Sequence, residues 1–366
     1  MPDHVLPDPA VPALVRLGAG PALLPKLLAL AARPPAVPGR VGRVDRGRVL
    51  ILTPAGACTV PEPAGDPLVT GDWVAVTGAV DAAGSPDTGP VVTAVLPRRG
   101  ALVRAASVRR PEPQVLAAGV DVVLIAAALP ARQVPARLER LLALAWEAGA
   151  TPAVIATKAD LLTAEQVADR LSDIRAVVVG APVHAVSAPT GAGLDDVRGL
   201  LGPGRTAALL GPSGTGKSTL LNALLGDLPE QPTACVGEVR PDGKGRHTTT
   251  ARELRVLPGG GAVIDTPGLR GVALWESDDG LDRVFADVAD LAVDCRFRDC
   301  QHRAEPGCAV LAAVAAGVLD PHRVRRHHKL TRELAHTARR FDAQLRAEEN
   351  RRWKTIAKEQ RARGHR

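Results

Sequence analysis

The stretch "GPSGTGKST", residues 211–219, fits the phosphate-binding pattern G-x-x-x-x-G-K-[ST] and decides the fold class. The apolar run "TAALL" precedes it and the helical "LLNALLG" follows, which gives the strand, loop, helix context that such a loop requires. Gly211, Gly214 and Gly216 let backbone amides wrap phosphate groups, Lys217 supplies a mobile cation to the β and γ oxygens, and Ser218 can ligate Mg²⁺. The whole loop, with Pro212, Ser213, Thr215 and Thr219, is therefore assigned to a nucleotide.

Upstream, "TKAD" (Thr157, Lys158, Ala159, Asp160) ends the buried strand "PAVIA". It resembles the [NT]-K-x-D motif in which an Asp carboxylate accepts from the two N–H donors of guanine, a donor pair that adenine lacks. "VSAPTGAGL" at 186–194 resembles the loop that supports the base from its other side, with Ser187 and Ala188 in the supporting positions. Downstream, "VIDTPGL" places Asp265 at a strand end and Gly268 three residues on, the D-x-x-G arrangement of a Mg²⁺ and γ-phosphate switch. Between them "GRHTTT", 245–250, lies where a switch threonine is expected. Thr249 is taken into the site, with Thr248 and Thr250 left open as the metal-reaching residue.

These motifs run TKAD, SAPTG, phosphate loop, HTTT, DTPG, whereas ordinary small GTPases begin with the phosphate loop. The order is that of a circular permutation, which closely spaced domain termini permit. Leu269 occupies the position where many GTPases carry a water-orienting Gln. His247 is the candidate to replace it, because an imidazole can orient water or accept a proton near neutral pH.

A chain of 366 residues exceeds one hydrophobic core and predicts several domains. We divide it into a Pro/Ala-rich extension (1–38), read as loosely tied, and short strands consistent with an OB-fold β-barrel or another β-module (39–100). A linker (101–113), the permuted P-loop α/β GTPase domain (114–277) and a helical zinc-binding domain with a basic tail (278–366) follow. The net charge is +7, yet residues 321–366 carry 15 Lys and Arg against 5 Asp and Glu, leaving the remainder near −3. Such a tail suits a polyanionic partner or a solvated amphipathic helix, with Leu330, Leu334, Phe341 and Leu345 spaced to pack one face. Arg98, Arg99, Arg104, Arg109 and Arg110 beside the barrel are candidate RNA phosphate contacts. No basic leader or unbroken apolar span begins the chain, which predicts a cytoplasmic protein without membrane contact.

"CRFRDCQHRAEPGC" spaces Cys295, Cys300, His302 and Cys308 as a Cys₃His set suited to one tetrahedral structural Zn²⁺. Cys58 and Cys235 stand apart and are read as isolated thiols.

Together "GDWV", "LPRR", "QVLAAGVD", "GPSGTGKST", "GRHTTT", "DTPGLR" and the cysteine motif resemble the bacterial circularly permuted, small-ribosomal-subunit-dependent GTPases of the RsgA/YjeQ type. The resemblance implies an OB domain, a permuted GTPase domain and a C-terminal zinc domain. It also implies GTP/GDP with Mg²⁺ as nucleotide and cofactor, hydrolysis stimulated by the 30S subunit in late maturation, and contact with 16S rRNA by a monomer. His247 takes the family's catalytic place. Alternatives are an RNA-binding scaffold without turnover and a GTPase of the large subunit. The family usually has Asn at the position of Gly119, which removes an expected turn contact, and Asn at Thr157, which weakens the expected bridge between base and phosphate loop.

Overall fold

A computed structural model describes residues 10–31, 36–78, 89–105, 113–226, 252–266 and 278–339. The described residues within Met1–Leu102 and Val115–Gly271 form one compact unit, and those within Val103–Gln114 and Val272–Arg366 a second.

The first unit opens with two short helices, α1 (Ala10–Arg16) and α2 (Leu24–Ala31), followed by strands β1 (Val37–Asp45), β2 (Arg48–Thr53), β3 (Gly56–Pro61), β4 (Trp73–Thr77) and β5 (Val91–Val95). β1 pairs antiparallel with both β2 and β4, β2 with β3, and β4 with β5. The resulting order is β3-β2-β1-β4-β5, with β3 and β5 brought close. Alternating apolar residues fill its centre: Val41, Val49, Ile51, Val60, Val74 and Val76 are all buried. Within the N-terminal segment, residues 10–31 are not loosely tied as composition suggested. Leu14, Leu17, Ala19 and Leu27 pack with Trp73, and full burial of Leu14 and Leu27 contributes about 1.5–3 kcal/mol each.

Strands β6 (Leu102–Ala105) and β7 (Pro113–Ala117) pair as a separate two-stranded sheet, although composition alone suggests a linker there. The nucleotide half then alternates β8 (Val122–Ala128), α3 (Pro135–Glu147), β9 (Thr151–Thr157), α4 (Ala164–Arg175), β10 (Val183–Val186), α5 (Leu194–Leu200), β11 (Thr206–Leu210) and α6 (Lys217–Leu225), and closes with β12 (Glu253–Val256) and β13 (Ala262–Asp265). The strand order is β10-β9-β8-β11-β13-β12, parallel except for β12. Every residue of "VVLIAAA" in β8 is buried, as an inner parallel strand covered on both faces requires. Pro135 opens α3 and Thr163 with Gln166 forms a reciprocal capping box on α4, so local chemistry sets where these helices begin.

One side chain ties the two halves of this unit. Arg40 of β1 is fully buried, lies 4.8 Å over the Trp73 ring, and donates to the carbonyls of Leu17, Gly71 (3.3 Å) and Gly119 (3.0 Å) and to the Thr206 hydroxyl (2.6 Å). Burial pulls its pKa down to about 10, while Asp121 and Asp72 oppose the fall, so it remains charged at neutral pH. Gly119 sits at φ +65°, where a Cβ would meet Arg40 Nη2 at 2.9 Å. A glycine adopts that backbone without strain, and leaves room for the Arg40 guanidinium that its carbonyl accepts from.

In the second unit, α7 (Asp278–Val284) and α8 (Ala286–Ala292) lead to the cysteine loop, α9 (Ala309–Ala315) and a helix over residues 321–339, here α10. Leu281, Val284, Phe285, Val288, Val310, Val324, Leu330 and Leu334 are buried. Arg323 lies 4.4 Å over the Phe285 ring and makes paired bonds to the Asp287 carboxylate (2.9 and 3.1 Å). Leu330 and Leu334 therefore pack as their spacing predicts; Phe341 and Leu345 lie outside the described residues. No helix among the described residues is long and apolar enough to cross a membrane.

Candidate functional site

The parallel strands deliver the sequence motifs to one edge of the sheet, the carboxyl ends where open α/β folds bind ligands. In register, Val186 at the end of β10 stands beside Thr157 at the end of β9, Thr157 beside Ala128 of β8, and Leu209 of β11 beside Asp265 at the end of β13. Residues 157–160, 187–188, 211–219 and 265 thus leave neighbouring strands on the same side, although more than a hundred positions separate the first from the last.

Gly211, Gly214 and Gly216 take φ values of +143°, +82° and +84°. At Gly211 a Cβ would lie 2.7 Å from the Ala126 carbonyl, so close packing of the loop on β8 as well as its backbone angle demands glycine. The Thr215 hydroxyl donates to the Pro212 carbonyl (2.9 Å), and Lys217 Nζ donates to the carbonyls of Gly211 and Pro212, each at 2.9 Å. These bonds hold the ammonium in the mouth of the loop. Burial lowers the Lys217 pKa, and the nearby Asp265 carboxylate works in the opposite direction. Asp265 is itself buried, and the adjoining Thr266 hydroxyl donates to Leu209 (2.7 Å), fixing the start of the D-x-x-G segment against the strand that carries the phosphate loop. Ser218 and Thr219, half-buried on α6, follow directly.

The Thr157 hydroxyl donates to the Thr215 carbonyl at 2.6 Å. Threonine at this position thus reaches the phosphate loop with its hydroxyl. Lys158 adopts the left-handed conformation (φ +63°), and its Cε would lie 3.8 Å from a Cβ at Gly216, so its stem runs across the loop. The turn puts Asp160 on the exposed 3-10 turn Ala159–Leu161. Beside it, the Ser187 carbonyl accepts from Gly191 N, its amide donates to Ala192 (both 2.9 Å), and its hydroxyl accepts from Thr190 N at 3.3 Å. Ser187 is buried and Ala188 half-buried, which makes the 187–192 segment a closed wall next to the Thr157 turn. Such a cradle can hold a phosphorylated nucleotide whose base faces Asp160. His247, Thr248, Thr249, Thr250, Gly268 and Leu269 lie outside the described residues, as does Cys235.

In the second unit the ligand atoms of Cys295, Cys300, His302 and Cys308 lie within 4.8 Å of one another. Cys295 Sγ is 3.8 Å from Cys308 Sγ and 3.6 Å from His302 Nδ1, which is 3.4 Å from Cys308 Sγ. A tetrahedron with Zn–S near 2.3 Å has edges of roughly 3.7 Å, so this donor set fits zinc. Desolvation, with Cys308 and Cys295 as neighbours, pushes the Cys300 thiol up to about 11, a crowding that a divalent cation relieves. Burial holds His302 below its ordinary value and keeps its ring neutral, as a ligand must be. His302 takes φ +56°, a strained angle for a non-glycine residue that turns the ring toward the thiols. Glu305 lies outside the ligand spacing, yet its carboxylate accepts from the amides of Gln301 (3.0 Å), Arg303 (2.7 Å) and Ala304 (3.0 Å), folding the loop between the ligands.

One further assignment changes. Arg98, a candidate RNA contact, is bound through Nε and Nη2 to Asp72 (2.8 and 2.9 Å), a fully buried carboxylate, and to the Pro67 carbonyl at 2.7 Å. Its charge is thus paired with Asp72, although the residue itself is exposed. Arg99 is exposed, whereas the side chains of Arg104, Arg109 and Arg110 lie outside the description.

The family model described as RsgA GTPase matches residues 95–275. The small ribosomal subunit biogenesis GTPase RsgA of Streptomyces avermitilis is 48% identical over 325 residues, spanning 86% of this chain and 84% of its own. Among solved structures, YjeQ from Thermotoga maritima has a TM-score of 0.59 at 23% identity, covering 82% of this chain and 99% of that one. YloQ, a circularly permuted GTPase, has a TM-score of 0.56 at 21% identity, covering 82% and 95%. Both share the fold.

Proposed function

The chain belongs to the RsgA GTPase family, and from that premise we propose that it couples GTP hydrolysis to late maturation of the 30S ribosomal subunit. In this reading it binds 16S rRNA as a cytoplasmic monomer and acts as an assembly checkpoint. The observation that carries the reading is the bond from Thr157 to Thr215, which joins the guanine-selecting turn to the phosphate loop. The base and the phosphates are then sensed by one connected backbone.

In this site the amides of 213–218 cradle the phosphates and Lys217 neutralises charge developing on the β and γ oxygens. Asp160 selects guanine, with Ser187 and Ala188 walling the base. Ser218, Asp265 and one of the 248–250 threonines, Thr249 in our assignment, would hold Mg²⁺, which would supply positive charge to the phosphates. Gly268 senses the γ-phosphate, and His247 orients the attacking water. One Zn²⁺ on Cys295, Cys300, His302 and Cys308 is structural, because four protein ligands leave no position open. The five-stranded module is read as an OB-fold on its strand order β3-β2-β1-β4-β5.

GTP turnover measured with purified 30S or 50S subunits and without either tests this directly. Stimulation by 30S is expected. Equal rates in all three would leave a nucleotide-bound RNA scaffold, and stimulation by 50S alone would reassign the substrate particle. ATP competing equally with GTP would dismiss the role of Asp160.

A further inference from the structure

The parallel sheet of the first unit has a cavity at the end opposite the nucleotide motifs. It measures about 520 Å³ and lies at the amino ends of β8, β9 and β11. β8 runs seven residues from there to the nucleotide edge, about 20 Å at 3.3 Å per residue, so the cavity is no subsite of the phosphate loop. Its other walls come from the turn between α1 and α2 and from the five-stranded module. Leu23 and Trp73 supply apolar surface there, and Arg99 a cation.

Arg99 and Arg205, which line the cavity from opposite modules, are both exposed, and among the described residues neither guanidinium has a hydrogen bond or an ion pair. Their backbones are nonetheless held: the Arg99 carbonyl accepts from Gly119 N at 2.8 Å and the Arg205 carbonyl from Ala262 N at 2.9 Å. Asp121 accepts from Thr206 N through Oδ2 at 2.8 Å, and its Oδ1 has no partner among the described residues. Two guanidinium forks suit the oxygens of a phosphate monoester, which accept in the paired geometry that arginine offers. A free carboxylate oxygen suits a hydroxyl of the same molecule, and the apolar walls suit a flat body. The volume falls among those of small-molecule sites, about 300–1,000 Å³. We propose that this cavity is a second small-molecule site, for an organic phosphate monoester with a hydroxylated body the size of a mononucleotide. An inorganic anion is the poorer match, because it leaves Asp121 and the apolar wall without a partner.

Isothermal titration calorimetry of the full chain with AMP tests this, with GDP and Mg²⁺ held at saturation so that the phosphate loop is occupied. AMP should bind with a stoichiometry of one and at least about tenfold more tightly than inorganic phosphate or adenosine. R99Q/R205Q should weaken AMP binding by at least about tenfold. Ala22→Trp, which sets a ring at the exposed rim of the cavity, should weaken it as much without removing a charge. Both variants should keep wild-type melting and basal GTP turnover, which separates lost binding from lost folding. Absence of AMP binding in the wild type overturns the proposal, as does wild-type affinity in either variant. Inorganic phosphate binding as tightly as AMP overturns it too, since the cations would then take any anion and the cavity would have no part. Displacement of AMP by added GDP would place the ligand in the phosphate loop and overturn it equally.

Discussion

The nucleotide site and the metal centre are built in opposite ways. The first gathers Thr157, Ser187, Lys217 and Asp265 from strand ends distant in sequence, so its geometry is the register of a parallel sheet. The second takes its donors from the stretch Cys295 to Cys308, and its loop is held by Glu305 and by the ligands themselves. A site made by a sheet should survive loss of its ligand, because buried strands such as β8 hold it. A site made by one loop is closed by its ligands rather than by a sheet and should depend on its ion.

Zinc removal puts the greatest stress on that contrast. Chelation, or Cys308→Ser, should unfold the second unit, with a loss on the order of 10 kcal/mol of metal-linked folding free energy. GTP affinity should stay within about twofold, a bound set well below the tenfold of 1.4 kcal/mol. Hydrogen exchange resolved by segment reads the first and nucleotide titration the second; protection kept in residues 278–339 without metal would erase the distinction. Lys217→Ala should cut turnover by about 10²–10³-fold and leave zinc stoichiometry at one. His247→Ala should lower turnover at least about tenfold with affinity nearly intact, a loss of some 1.4 kcal/mol in the transition state; equal turnover in the variant dismisses that residue.

Thr157→Val tests the tie between loops more finely. Loss of one net hydrogen bond worth about 1 kcal/mol should weaken GTP binding roughly fivefold, and Thr157→Asn should restore it. The smallest effect concerns Glu305, whose carboxyl the backbone amides of Arg303, Gln301 and Ala304 hold down at about 2. A depressed carboxylate stabilises the fold above its unfolded value near 4.3 and loses that contribution as pH falls toward about 2. Glu305→Gln should therefore melt earlier than wild type at neutral pH under saturating zinc, with the gap closing across that window. A pH-independent gap would assign the difference to something other than ionisation.

Contiguous motifs were legible from sequence because their chemistry is local: "GPSGTGKST" and the cysteine spacing each need one loop. Side-chain reach was not. Thr157 reads as a departure from Asn until β9 and β11 set its hydroxyl beside Thr215. Arg98 reads as a surface cation until Asp72, distant in sequence and buried, is placed beneath it. The first helices carry mostly Pro, Ala and Leu without a polar face, so composition could not reveal that Leu14 and Leu27 enter a core with Trp73. Arg40 is the extreme case, a cation in a strand pattern where an arginine ordinarily points to water.

Arg40 also bears on how the protein is made. Its acceptors are backbone carbonyls of Leu17, Gly71 and Gly119 and the hydroxyl of Thr206. During synthesis the five-stranded module emerges well before residue 206 does. A module closed at that moment would enclose a guanidinium with part of its hydrogen bonding missing, at a penalty of about 1–3 kcal/mol for each unmade bond. The early strands are thus expected to stay open to rearrangement until β11 is added, so that maturation of the N-terminal half waits for the segment that carries the phosphate loop.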